Sequence, residues 1–146
     1  MTGVEEMAEG LTGRYFVRAI RPAFDDVHRL FSRTRDKIEV RRHALKLRDW
    51  PDAIVTEESG QVVDLDFSWI RSLEALKIGE LRIHNNIGGR DNLRIIFFVG
   101  PPDDRLPKTC IWILSVIQKK RQDFSQNQLK VFRARRFLVH ERFYQD

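Results

Sequence analysis

Three strand-length runs follow one another within residues 79–117: Gly79-Glu80-Leu81-Arg82-Ile83-His84, Leu93-Arg94-Ile95-Ile96-Phe97-Phe98-Val99 and Thr109-Cys110-Ile111-Trp112-Ile113-Leu114-Ser115-Val116-Ile117. In the first, Leu81 and Ile83 alternate with Arg82 and His84, the period of a half-buried strand. The second is apolar almost throughout, as expected of a strand buried on both faces, and Arg94 is its exception. The third is rich in β-branched residues. Gly88-Gly89 and Asp91-Asn92 supply a turn between the first two, and Gly100-Pro101-Pro102-Asp103-Asp104 a loop before the third. These signals predict a three-stranded meander.

On its C-terminal side, Ser125-Gln126-Asn127-Gln128 fits a capping box, with Ser125 as the cap. The helix it opens runs to Phe137 or beyond, although its apolar residues make no clean stripe. On the other side, Trp69, Ile70, Leu73 and Leu76 predict a short helix over residues 68–77, stopped by Gly79. Near the start, Tyr15-Phe16-Val17-Arg18-Ala19-Ile20 predicts a first strand. Pro22 then sits well at the start of a helix, and Phe24, Val27, Leu30 and Phe31 form one apolar stripe. Asp25 and Asp26 are expected in that helix's first turn, where its dipole favours them. Residues 34–48 predict a second helix, with Val40, Ala44 and Leu47 on one side and basic residues on the other. Trp50-Pro51 ends it. Residues 52–61 show no periodicity, and Glu57-Glu58-Ser59-Gly60 reads as an exposed turn.

Antiparallel strands with helices gathered elsewhere give an α+β class. No repeat or long linker divides the chain, so one domain is expected over residues 14–146, behind a loose leader at residues 1–13. A length of 146 residues suits a single core. The 42% hydrophobic content, with ten Phe and three Trp, argues against disorder. No apolar run approaches the ~18 residues of a membrane span, and the acidic N-terminus lacks a signal pattern, so a cytoplasmic location without membrane partners is expected.

The net charge of +5 is unevenly spread. Residues 1–107 hold 17 Lys/Arg against 18 Asp/Glu, whereas residues 108–146 hold 9 against 3. A localised basic field suits a polyanion or an acidic protein segment. Several enzyme classes lack their signatures. There is no Gly-rich phosphate loop and no nucleophile elbow. The four histidines are scattered and Cys110 is alone, so neither an internal disulfide nor a multi-cysteine zinc site is available, and no metal or cofactor is expected. Cys110 opens an apolar strand and reads as a buried thiol.

The meander does bring cations to neighbouring strands. Arg82 and His84 project from the first strand, Arg94 from the second, and Lys119, Lys120 and Arg121 follow the third. Such cations, with no carboxylate read among them, suit RNA cleavage through the 2′-hydroxyl: they hold the phosphate, stabilise its developing charge and supply a proton. Each also has a plain reading. Arg94 can be a paired, partly buried cation. His84 can be a solvated strand histidine, and Lys119-Lys120-Arg121 the polar end of a strand. Arg133, Arg135 and Arg136 spread around the last helix and read as solvated or partner-facing.

Gly79-Glu80-Leu81-Arg82-Ile83, Leu93-Arg94-Ile95-Ile96-Phe97, residues 111–117 leading into Gln118-Lys119-Lys120-Arg121-Gln122-Asp123-Phe124, and the closing Gln/Leu/Ala helix together resemble the RelE/ParE toxin superfamily, its RelE and HigB-like branch most. The likeness covers residues 79–137; residues 15–48 fit in layout only. The resemblance implies an N-terminal strand and helical hairpin packed on an antiparallel sheet, with a C-terminal helix. It implies the toxin of a type II toxin–antitoxin module: a metal-independent endoribonuclease that cuts mRNA, often on the ribosome, and is silenced by a cognate antitoxin. Carried over by position, Arg82 and His84 would match the family's basic pair, Arg94 its phosphate-contacting strand arginine, and Lys119 or Lys120 the basic residue after the last strand. On the ribonuclease reading, Arg94 and Lys119 would hold the phosphate and its transition-state charge, and His84 would transfer a proton. Arg82, Lys120 and Arg121 would bind RNA. A ParE-like gyrase inhibitor and a basic protein-binding adaptor are the alternatives. The chain departs from the family in longer loops, in an insertion over residues 50–67, and in Phe124, where many relatives carry a tyrosine. His84, His140 and Tyr144 are the side chains left to exchange a proton.

Overall fold

The computed structural model describes residues 4–6, 14–52, 54–56, 62–105 and 108–144, so the turn expected at Glu57-Glu58-Ser59-Gly60 lies outside the described residues. The strands are β1 (Val4–Glu6), β2 (Tyr15–Ile20), β3 (Ile54–Thr56), β4 (Val62–Asp64), β5 (Phe67–Trp69), β6 (Ile78–Ile83), β7 (Leu93–Val99) and β8 (Thr109–Gln118). The α-helices are α1 (Arg21–Leu30), α2 (Thr34–Ala44) and α3 (Gln126–Phe143). Six strands form one sheet in the order β1-β2-β8-β7-β6-β5, while β3 pairs antiparallel with β4. The fold is α+β, and the meander β6-β7-β8 stands where the alternation predicts it. Every pairing in the six-stranded sheet is antiparallel except β2 with β8, where the chain re-enters beside its first strand from the same end. Within the stretch read as a loose leader, Val4–Glu6 pairs with β2.

Both sheet faces are covered. Phe97 and Phe98, adjacent in β7, point to opposite sides. Phe97 joins Trp50, Phe67 and Trp69 in an aromatic cluster, with Trp50 also meeting Tyr15. On the same side, Ala19, Ile113 and Val116 meet Ala23, Val27 and Val40 across an apolar groove. Phe98 meets Tyr144 beyond the end of α3, and Trp112 packs on Phe143 and Tyr144. The sheet therefore separates the α1–α2 hairpin from α3. The capping box holds at the start of α3: Ser125 Oγ accepts from Gln128 N at 3.1 Å, and the Gln128 side chain accepts from Ser125 N at 2.9 Å. The helix extends to Phe143 and buries only Leu129, Phe132 and Val139, which is why it shows no clean stripe.

Three local expectations are corrected. The helix predicted over residues 68–77 is an edge strand, β5, followed by a 3-10 turn at Arg71–Leu76. Its end is Lys77 in the left-handed region (φ 60°), not Gly79. Gly79 lies within β6, where a Cβ would come 2.7 Å from the Phe97 ring. The second helix turns into a 3-10 segment at Leu45–Asp49, and two of its basic residues, His43 and Lys46, are buried. Asp25 and Asp26 are not in the first turn of α1, because the helix already begins at Arg21.

Asp26 has a different role. Pairing of β2 with β8 stops at Ala19↔Ile113, where the chain turns away into α1. The exposed edge of β8 beyond that point needs a partner for its backbone N–H. Asp26 Oδ2 accepts from Val116 N at 3.1 Å and from Ser115 Oγ at 2.6 Å. From the opposite side of the sheet, Arg135 of α3 donates to the same oxygen at 2.7 Å and to Leu114 O at 2.9 Å. Arg29 completes the pairing at Oδ1. Arg135, read as solvated, is thus a tie between α3, β8 and α1. Arg136 is packed too, donating to Leu76 O at 3.1 Å with its guanidinium over the Phe98 ring.

Candidate nucleic-acid interface at one end of the sheet

Strand register brings the predicted cations together. Arg82 of β6 lies directly opposite Arg94 of β7, and Arg94 in turn opposes Ile117 of β8, two residues before Lys119. Directly opposed like charges destabilise a sheet unless something of opposite sign lies near. The compensating group is Glu80, two residues before Arg82 on the same face. Its carboxylate accepts from Arg94 Nε at 2.9 Å and lies 4.0 Å from Lys119 Nζ. The expectation of cations without a carboxylate is therefore corrected. Glu80 is 5% exposed and reads in sequence as one more polar strand position; only the register places it between the cations.

Arg94 and Lys119 are mostly buried, with side chains 14% and 15% exposed, so Glu80 holds both at a shielded surface. Arg94 also donates from Nη1 to Leu93 O at 3.3 Å. Lys119 stacks its ammonium 4.4 Å from the Phe124 ring centre, an attraction that fixes the lysine head. Phe124 cannot move a proton, but it positions a cation. Arg82, Lys120 and Arg121 are exposed, and among the described residues none has an ion-pair partner. Lys119, Lys120 and Arg121 line a cleft of about 360 Å³ with Gln118, Asp123, Ser125 and Gln128.

His84 stands just past the end of β6, and its Nε2 is 2.7 Å from Asp66 Oδ2. An ionised carboxylate only accepts, so Nε2 carries the proton and Nδ1 is the atom able to accept one. Asp66 belongs beside Arg82, whose N–H donates to the Asp66 carbonyl at 2.8 Å. The other two proton-exchanging candidates are elsewhere. Tyr144 Oη accepts from Trp112 Nε1 at 2.7 Å and fills the space that the missing side chain of Gly100 leaves. Burial pushes its phenol up to about 12. His140 packs against Tyr144. Trp112 and Lys119 are seven residues apart along extended chain, roughly 20 Å, so neither His140 nor Tyr144 serves the cation cluster.

His43 has an unusual setting on the other side of the sheet. Lys46 Nζ lies 2.8 Å from its Nδ1, and Glu39 Oε1 is 3.5 Å from Nε2. Burial, then Lys46, Arg42 and His84, push the imidazole down to about 4. The unfolded histidine takes its proton near 6.5, so between 6.5 and 4 the unfolded chain binds the extra proton. Stability from this group is full above pH 6.5 and is lost as pH falls through that window. Comparing urea unfolding at pH 7 and 4.5, the native chain is expected to lose about 2 kcal/mol more than His43→Asn. Parallel losses in the two proteins would exclude this role for His43.

Among the described residues, no helix is long and apolar enough to cross a membrane, and no three His, Cys, Asp or Glu are grouped to hold a metal. Set against protein-family models, curated proteins and solved structures, the chain matches none.

Proposed function

We propose that this protein is a RelE/HigB-like endoribonuclease, the toxin of a type II toxin–antitoxin module, acting on mRNA in the cytoplasm without a metal. The observation that carries the reading is the opposition of Arg82 and Arg94 across two strands, with Lys119 beside them and the Glu80 carboxylate between Arg94 and Lys119. Such a set is short of negative charge, and a bound phosphate supplies it. In this reading Arg94 and Lys119 hold the scissile phosphate, and Arg82, Lys120 and Arg121 hold the backbone on either side. His84, oriented by Asp66, accepts the 2′-hydroxyl proton at Nδ1. The 2′-oxygen bonds to phosphorus, the bond from phosphorus to the 5′-oxygen breaks, and Lys119 protonates the departing oxygen. The products are a 2′,3′-cyclic phosphate and a 5′-hydroxyl. An antitoxin would silence the enzyme by laying an acidic segment over the same cations.

The test is induced expression with mapping of transcript 5′ ends, beside digestion of mRNA by the purified protein, free and on ribosomes. Growth arrest with new internal 5′-hydroxyl ends is the expected result. Arrest with intact mRNA would favour a gyrase-type target. Neither arrest nor cleavage would leave a basic adaptor as the better description.

A further inference from the structure

A second basic cleft adjoins the cluster. It opens between the segment joining α1 to α2 and the turn between β6 and β7, and has a volume of about 750 Å³, within the range of ligand sites. Arg33 and Arg35 line one wall, Asn86 and Arg90 the other, and Gln118 the end nearest β8. The walls are fixed to each other. Arg90 donates from Nε to Leu30 O at 2.8 Å and from Nη1 to Gln118 Oε1 at 2.9 Å. Gly88, at φ +58°, lies so close to α2 that a Cβ there would meet Asp36 Oδ2 at 2.7 Å. Only a residue without a side chain suits that conformation and that approach. The cleft is thus a built feature of the fold.

Its charge is equally one-sided. Arg33 and Arg35 are exposed, and among the described residues neither has an acidic partner. The one carboxylate lining the cleft is Asp36, which is turned towards Gly88. Gln118 lines both this cleft and the one formed by Lys119, Lys120 and Arg121. The two clefts therefore lie side by side, with Arg33, Arg35 and Arg90 lining one and Lys119, Lys120 and Arg121 the other.

We propose that these adjoining clefts form one trough that carries single-stranded RNA beyond the cut site, with the phosphates of flanking nucleotides seated between Arg33, Arg35 and Arg90. The inference rests on the ribonuclease reading and adds to it a strand path over a surface that takes no part in the chemistry. A flexible single strand can pass from one cleft to the next around Gln118, its phosphates following the cations of both.

The experiment compares the native chain with the double variant Arg33→Ala/Arg35→Ala. Both side chains are exposed, and Arg90, which ties the walls, is left intact. Binding is read by fluorescence anisotropy over a salt series, using an uncleavable 2′-O-methyl oligonucleotide long enough to fill the trough and a trinucleotide too short to leave the cut site. The double variant should bind the long strand about tenfold more weakly at low salt, with a salt slope flatter by roughly 0.7 for each phosphate that is no longer neutralised. Its affinity for the trinucleotide should be unchanged. Equal binding of the long strand by both proteins would overturn the path, as would equal weakening for long and short strands. Native protein that binds the long strand through Arg33 and Arg35 yet never cuts RNA would uphold the path and remove the ribonuclease reading.

Discussion

Asp26→Ala is expected to lower the unfolding free energy by about 3–5 kcal/mol, the usual loss when one partner of a buried ion pair is removed. Asp26 is 5% exposed and gathers four groups: Val116 N, Ser115 Oγ, Arg135 and Arg29. Alanine leaves the Val116 N–H and the Ser115 hydroxyl without their acceptor and the Arg135 guanidinium largely buried without its counter-charge. Ser115→Ala, which removes one donor and leaves the ion pair, should cost only about 1 kcal/mol. Asp26→Asn keeps an acceptor for Val116 N but not the charge facing Arg135, and should fall between the two. Urea unfolding followed by tryptophan fluorescence gives the three values. A loss under 1 kcal/mol for Asp26→Ala would show that water replaces the carboxylate and that this edge of β8 needs no internal partner.

The same residue shows where the sequence is legible and where it is not. A period of two is a local signal, and so is the capping chemistry of Ser125, and both survive in the structure. The apolar stripe through Phe24, Val27 and Leu30 packs half-buried against the core, beside the buried Ala23 and Asp26. Helical spacing at Trp69, Ile70, Leu73 and Leu76 misleads, because Phe67 and Trp69 gain more by pairing with β6 and joining the aromatic cluster around Trp50. Asp26 reads as a helix-dipole residue, since nothing local reveals that β2 stops short of Ser115 and Val116. Arg135 reads as solvated for the same reason: its partner is 109 positions away. The site divides along this line. The cations on β6 and β7 and after β8 are visible as interruptions of apolar runs. Glu80 is not, because its place between Arg94 and Lys119 depends on cross-strand register. Arg33 and Arg35 give no signal either, being two of many basic residues near a helix start until the β6–β7 turn folds against them.

Arg94→Ala is expected to reduce RNA cleavage by 10²–10³-fold, the loss typical of a donor aimed at developing transition-state charge. Taken alone that result is ambiguous, because Arg94 also neutralises Glu80, and alanine would leave this buried carboxylate without its nearest counter-charge. Destabilisation of about 3 kcal/mol would then accompany the loss of activity. The double variant Arg94→Met/Glu80→Gln separates the two effects. A buried ion pair replaced by neutral groups of similar volume is often as stable as the original, so the double variant should recover most of the lost stability. It cannot recover cleavage, because methionine has no charge to offer a phosphate. Lys119 loses its Glu80 neighbour in the same variant but keeps its stacking on Phe124, so part of the positive surface persists. Stability in urea and the single-turnover cleavage rate of one RNA, measured on the native chain, the single variant and the double variant, complete the cycle. A double variant that is both stable and fully active would reduce Arg94 to a strut for Glu80. A stable but inactive one would assign the guanidinium to the phosphate.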